Sequence, residues 1–176
     1  MSGLRSAVGA HDHVSGPADA PVTLVEYGDY ECPHCGHAFT VVEKVRERLG
    51  DQLRFVFRHF PLSEMHPHAL HAAEATESAA AQAGEAAFWS VHHANFTHQR
   101  ALDDASLVQY ATAAGGDAST TESDLESDAY ADRVQADFSS GVRSGVNGTP
   151  TFFINGQRFD GDFADVDAFI EALSPK

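Results

Sequence analysis

The sequence predicts an α/β fold that runs βαβ, then a helical insertion, then ββα. Three observations carry this. A β-branched run leads into a Cys-x-x-Cys at the head of a helical pattern, with a second apolar run behind it. Residues 63–146 hold no strand pattern, and an Asn-Gly pair near the C-terminus joins two short β-rich runs.

Residues 1–20 are rich in Gly, Ala, Ser and Asp without period, and read as a flexible N-terminal arm; residues 21–176 then form a single domain. Val22-Thr23-Leu24-Val25-Glu26-Tyr27 is the first strand, broken at Gly28. From Cys35 to Leu49, Phe39, Val42, Val45 and Leu49 keep helical spacing, and Gly50 is placed to end the helix. Residues 53–60 are the second strand.

The insertion, residues 63–146, opens with an Ala-rich helix that stops at Gly84, and a second helix carries Phe88, Val91 and Phe96. A third starts at Asp103 as N-cap, with Leu102 and Leu107 as its hydrophobic staple, and ends at Gly115-Gly116. After an acidic stretch, Tyr130, Val134, Phe138, Val142 and Val146 recur every four residues, predicting a last helix loosened by Gly141 and Gly145. Thr151-Phe152-Phe153-Ile154 and Gln157-Arg158-Phe159 flank Asn155-Gly156 as a type I′ hairpin. Val166, Phe169, Ile170 and Leu173 mark a closing helix.

A chain of 176 residues, 43% hydrophobic, can bury one substantial core. A net charge of −15 argues against nucleic acid and anionic membrane as partners, and the carboxylates between Asp103 and Asp137 read as a solvated acidic face. No stretch has the length of a membrane span, and residues 1–20 lack a secretory h-region. As written the chain is expected in the cytoplasm, or outside it if it is a trimmed form or a segment of a longer protein.

Both cysteines lie in Cys32-Pro33-His34-Cys35, so they serve chemistry or metal rather than a structural cross-link. At that spacing one thiolate attacks a disulfide and the other resolves the intermediate. A helix N-terminus at Cys32 stabilises its thiolate, Pro33 fits the first helical position, and His34 adds a donor beside the sulfur. Glu26, Asp29 and Glu31 oppose this by charge; Asp29 and Glu31 are expected to be solvated, and Glu26 to be the buried carboxyl that relays the Cys35 proton. Arg58 or His59 is placed to tune Glu26. The rival readings are a metal site built from Cys32, Cys35 and His34 or His37, and two small buried residues that merely fall at this spacing. Among the other histidines, His66, His68 and His71 cluster, as do His92, His93 and His98; no carboxylate is placed to complete a site, so no metal is expected.

Together these residues resemble the DsbA family: the Cys32-Pro33-His34-Cys35 tetrapeptide, Glu26 six residues earlier, the helical insertion, and Gly148-Thr149-Pro150 opening the hairpin. The resemblance implies a thioredoxin-like fold and a thiol–disulfide oxidoreductase. It also implies a cis Pro150 against the cysteines, with Thr149 offering its backbone to an extended substrate. The implied cofactor is none beyond a redox-active Cys32–Cys35 disulfide. The implied partners are protein thiols and disulfides and a redox partner, with a monomer expected. Two alternatives use the same residues: a glutathione-dependent small-molecule enzyme, and a metal-binding or redox-sensing module.

Overall fold

A computed structural model describes residues 3–174. Its sheet has the order β1-β3-β2-β4-β5. The strands are β1 (His13–Ser15), β2 (Val22–Gly28), β3 (Leu53–His59), β4 (Thr151–Ile154) and β5 (Gln157–Phe159). β2 and β3 run parallel, joined by α1 (Pro33–Leu49); the β1–β3, β2–β4 and β4–β5 pairs are antiparallel. Between β3 and β4 stand α2 (Ala69–Ala83), α3 (Glu85–Thr97), α4 (Asp104–Ala113), α5 (Ala118–Glu126) and α6 (Ala131–Arg143), and α7 (Val166–Leu173) closes the chain.

Strand alternation divides the core in two. On one face Leu24 of β2, Phe55 and Phe57 of β3 and Phe152 of β4 pack against α1, α7 and the inserted helices. On the other, Val25, Tyr27, Val56 and Phe153 meet Phe60, Val146 and Phe138 of α6. Glu26 shares the face of Leu24, so its carboxyl is directed to the side on which α1 lies.

The local signals act as their chemistry requires. The Asp103 side chain accepts the Ser106 N–H at the head of α4, and Leu102 and Leu107 are both buried beneath it. Asn155 and Gly156 take φ of 48° and 84°, the pair of positive values that a type I′ turn demands. Two expectations need correction. The acidic stretch contains α5, which the period missed because only Thr121 and Leu125 of it are buried. Gly141 does not loosen α6: a Cβ there would come within 2.8 Å of the Phe60 ring and 3.0 Å of Tyr27, so the absence of a side chain lets the helix lie against the sheet.

Residues 1–20 are likewise not a loose arm; residues 1 and 2 lie outside the described residues, but 3–20 are bound to the fold. Leu4 donates its N–H to Gly156, Leu4, Val8 and Val14 pack on the second core, and residues 13–15 pair with β3 as β1. Arg58 is the anchor. Its guanidinium donates to both Asp12 carboxylate oxygens at 2.8 and 2.9 Å, to the Ser6 and Ala7 carbonyls at 2.9 and 3.2 Å, and to the Tyr27 hydroxyl at 2.8 Å. His13 stacks on Phe88 at 3.6 Å and reaches Glu77 at 2.7 Å. The composition misled because these residues are held by long-range polar contacts, not by an apolar period.

Both members of the Arg58–Asp12 pair are buried, so removing one strands a charge. Arg58→Met should lower unfolding free energy by about 3–5 kcal/mol in urea titrations, and amide exchange at residues 4–15 should rise first.

Candidate active site

The site forms where β2 ends and α1 begins. Cys32 is the N-cap residue of α1, with extended backbone, and Pro33 occupies the first helical position. Its sulfur therefore sits at the positive end of a helix of 17 residues. One turn on, Cys35 is fully buried. The two thiols are unbonded.

The pair is electrically asymmetric. Cys32 is pulled down to about 5, first by a hydrogen bond from the Cys35 thiol, then, against the burial that opposes it, by Thr149 and by the backbone N–H groups of Cys35 and His34. Cys35 is pushed well above the ordinary thiol value by burial, then by Cys32 and the Glu26 carboxyl. Glu26 is itself raised to about 8, by burial and by the charge on Cys32. One of its oxygens, Oε2, is buried without a partner, and Gly28 leaves room for it: a Cβ there would stand 2.9 Å from that oxygen.

The loop after α6 supplies the facing wall. The Thr149–Pro150 bond is cis, and the Thr149 carbonyl oxygen lies 3.8 Å from the Cys32 sulfur. The Thr149 hydroxyl is buried with no partner other than the Cys32 sulfur, whose charge it favours. Glu26, Cys32, Pro33, Cys35, Thr149 and Pro150 are thus brought to one place. His34 joins them through its backbone N–H, while its ring is exposed.

Two carboxylates and one amide depart from expectation. Asp29 is 1% exposed, not solvated. It accepts N–H bonds from Glu31 at 2.8 Å and Leu62 at 2.9 Å, bonds to His66 Nδ1 at 2.8 Å, and its own N–H points to the Cys35 sulfur at 3.5 Å. Burial of the His66 ring opposes its charge, but Asp29 overrides this and raises its pKa. The Glu31 bond is an Asx-turn, the one signal in the sequence from which a buried role could have been read. Glu31 is half-buried and its carboxylate accepts the His68 N–H at 3.3 Å. Gln99 gave no signal at all; its amide donates to the Tyr30 and Cys32 carbonyls at 2.9 and 2.8 Å and holds the loop from the insertion side. Arg58 and His59 do not tune Glu26: Arg58 serves the arm, and His59 bonds Glu77 at 2.8 Å.

The arrangement is suited to exchange at sulfur. It presents one stabilised thiolate, one buried thiol able to displace it, and a carboxyl of intermediate pKa between them. Among the described residues, the cluster of side chains close enough to share a metal ion includes neither cysteine, and His34 and His37 are both exposed.

Known proteins agree with this geometry. A family model described as Thioredoxin matches residues 9–172. The fold superposes on BdbD from Bacillus subtilis with a TM-score of 0.83 and 26% identity, covering 93% of this chain and 91% of that one. It superposes on α-DsbA2 of Wolbachia pipientis, a thiol-disulfide exchange protein, with a TM-score of 0.73 and 21% identity over 93% and 87% of the two chains. Among curated relatives, the Na(+)/H(+) antiporter NhaA 1 of Mycolicibacterium gilvum is 42% identical over 172 residues, 97% of this chain and 27% of that protein. NhaA 3 of Salinispora tropica is 45% identical over 93% of this chain and 24% of its own length. The chain therefore spans about a quarter of the length of the curated relatives it matches. With its cysteine pair at the head of α1 and its sheet order, this chain belongs to the thioredoxin family.

Proposed function

We propose that the Cys32–Cys35 pair exchanges disulfides with protein thiols and acts as an oxidant. The observation that carries this is the Cys32 thiol drawn down to about 5. A thiolate stable at neutral pH stabilises the dithiol form, and so favours transfer of two electrons to the pair. The carboxylates flanking Cys32 weigh little against this, since Asp29 is committed to its hydrogen bonds and Glu26 stays protonated up to about 8.

A substrate thiolate attacks Cys32 of the disulfide, forming a mixed disulfide and releasing the Cys35 thiolate, which takes a proton from Glu26. A second substrate thiolate attacks the substrate sulfur of that bond and expels the Cys32 thiolate. The substrate leaves as a disulfide, two electrons lighter. Thr149 is the backbone to which an extended substrate would bind, and no cofactor enters the steps. An oxidant of this kind belongs in a compartment more oxidising than the cytosol. No helix among the described residues is long and apolar enough to cross a membrane.

Cys32→Ser should abolish exchange, whereas Cys35→Ser should accumulate mixed disulfides; full turnover without Cys35 would favour a glutathione-type reaction. Equilibration in glutathione buffers reads the direction: a potential of about −120 mV fits an oxidant, and one of about −270 mV would reverse the direction. Alkylation of Cys32 by iodoacetamide should follow a pH midpoint of about 5, while Cys35 stays unmodified.

Glu26 gives two readouts. Run in reverse on a substrate disulfide, Glu26→Gln should slow resolution of the mixed disulfide by Cys35, whose proton Glu26 accepts, and leave its formation by Cys32 nearly intact. It should also stabilise the reduced protein. The carboxyl ionises near its ordinary 4.5 when unfolded but near 8 when folded, so stability falls as pH rises between these values. The variant escapes that loss, by about 4 kcal/mol at pH 8 and almost nothing at pH 4 in urea titrations.

A further inference from the structure

Away from the thiols, α2 turns His71 and Glu74, one helical turn apart, toward Asp128 in the connection between α5 and α6. Their donor atoms all lie within 4.8 Å of one another. His71 Nε2 is 3.0 Å from an Asp128 oxygen and 4.0 Å from Glu74 Oε2. On its other side, His71 Nδ1 meets the Asp104 carboxylate of α4 at 2.7 Å.

Glu74 is the residue that calls for a ligand. Its side chain is wholly buried on α2. Oε1 accepts the Tyr130 N–H at 3.0 Å, but Oε2 has no partner and lies against the cluster. Three carboxylates thus surround one imidazole, with one buried oxygen left without a donor.

We infer that His71, Glu74 and Asp128 form a site for a divalent metal ion of the zinc class, distinct from the cysteine pair. The chemistry is that of one imidazole nitrogen and two carboxylate oxygens, a set that suits zinc and its first-row neighbours rather than calcium. Tetrahedral ligation at zinc sets donors about 3.3 Å apart, so separations that all lie within 4.8 Å need to change by at most about 1.5 Å. Asp104 supplies the carboxylate partner that fixes a ligating histidine: by accepting a hydrogen bond from Nδ1–H it holds the tautomer whose Nε2 lone pair is left for the metal. The His71 side chain is 29% exposed, so an ion can enter and a water can complete the shell. Bound there, the ion ties α2 to the α5–α6 connection and, through His71, to α4. It acts as a cross-link within the helical insertion and takes no part in electron transfer. Asp104 and Asp128 lie 33 and 57 residues from His71, so the fold and not the sequence brings these carboxylates to it.

Zinc also binds free dithiols, so the test uses the protein with both cysteines replaced by serine. Calorimetric titration with zinc chloride should give one ion per chain at micromolar affinity or tighter, and saturating zinc should raise the melting temperature by about 5 °C. His71→Gln and Asp128→Asn should each remove both effects, and Asp104→Asn should weaken binding about tenfold. Glu74→Gln keeps the shape of the buried side chain and should also lose the ion. Failure of the Cys-free protein to bind zinc, or equal binding and equal thermal shift in the His71→Gln variant, overturns the site. Because this titration does not involve thiol exchange, its outcome is independent of the redox assignment.

Discussion

Asp29 is the point on which the rest of the site rests. A carboxylate this deeply buried is tolerable only if it is fully hydrogen-bonded. It is bonded by three parts of the chain: its own loop through Glu31, the entrance to the insertion through Leu62, and the ring of His66. Its backbone serves as well, since its carbonyl accepts the Cys32 N–H and its N–H faces Cys35. One residue thereby fixes the start of α1 relative to β2 and to the helices that follow β3. A charge that would raise the Cys32 pKa if left free is spread over donors instead.

Around that junction, burial produces opposite effects on neighbouring groups. Glu26 and Cys35 lose water without gaining enough hydrogen bonds to hold charge, so both keep their protons at neutral pH. Cys32 loses water too, but gains a thiol donor, two backbone N–H groups and Thr149, and these outweigh desolvation. The difference between attacking and resolving sulfur is therefore a difference in donors supplied, set by which cysteine stands at the helix N-terminus and which stands one turn inside.

What could be read from the sequence was what is local. The Asp103 cap, the Leu102–Leu107 staple, the Asn155-Gly156 turn and the Cys-x-x-Cys before a helix each involve residues a few positions apart, and each holds its expected place. The residues missed act across long separations. Gln99 reaches Cys32 over 67 positions, and Arg58 reaches Asp12 over 46, so no periodic pattern announces them. Asp29 and Asp128 look like surface acids in a strongly acidic chain until the fold places a donor or a histidine beside them. Helix α5 was hidden for the opposite reason, as a local element with almost no buried face.

The course of the N-terminal segment bears on how the sheet meets other molecules. Gly3 bridges to Gln157 of β5, and ten residues later the same segment pairs with β3 as β1. One stretch of chain thus crosses a face of the sheet and covers strands at both of its ends. Open sheet edges are where β proteins pair with strangers and aggregate. Here a three-residue strand lies along β3 and one bridge meets β5, both from residues that composition alone would have set aside as a loose arm. A domain cut at residue 21 would strip β3 and β5 of these partners at once, so this segment is part of the folded unit.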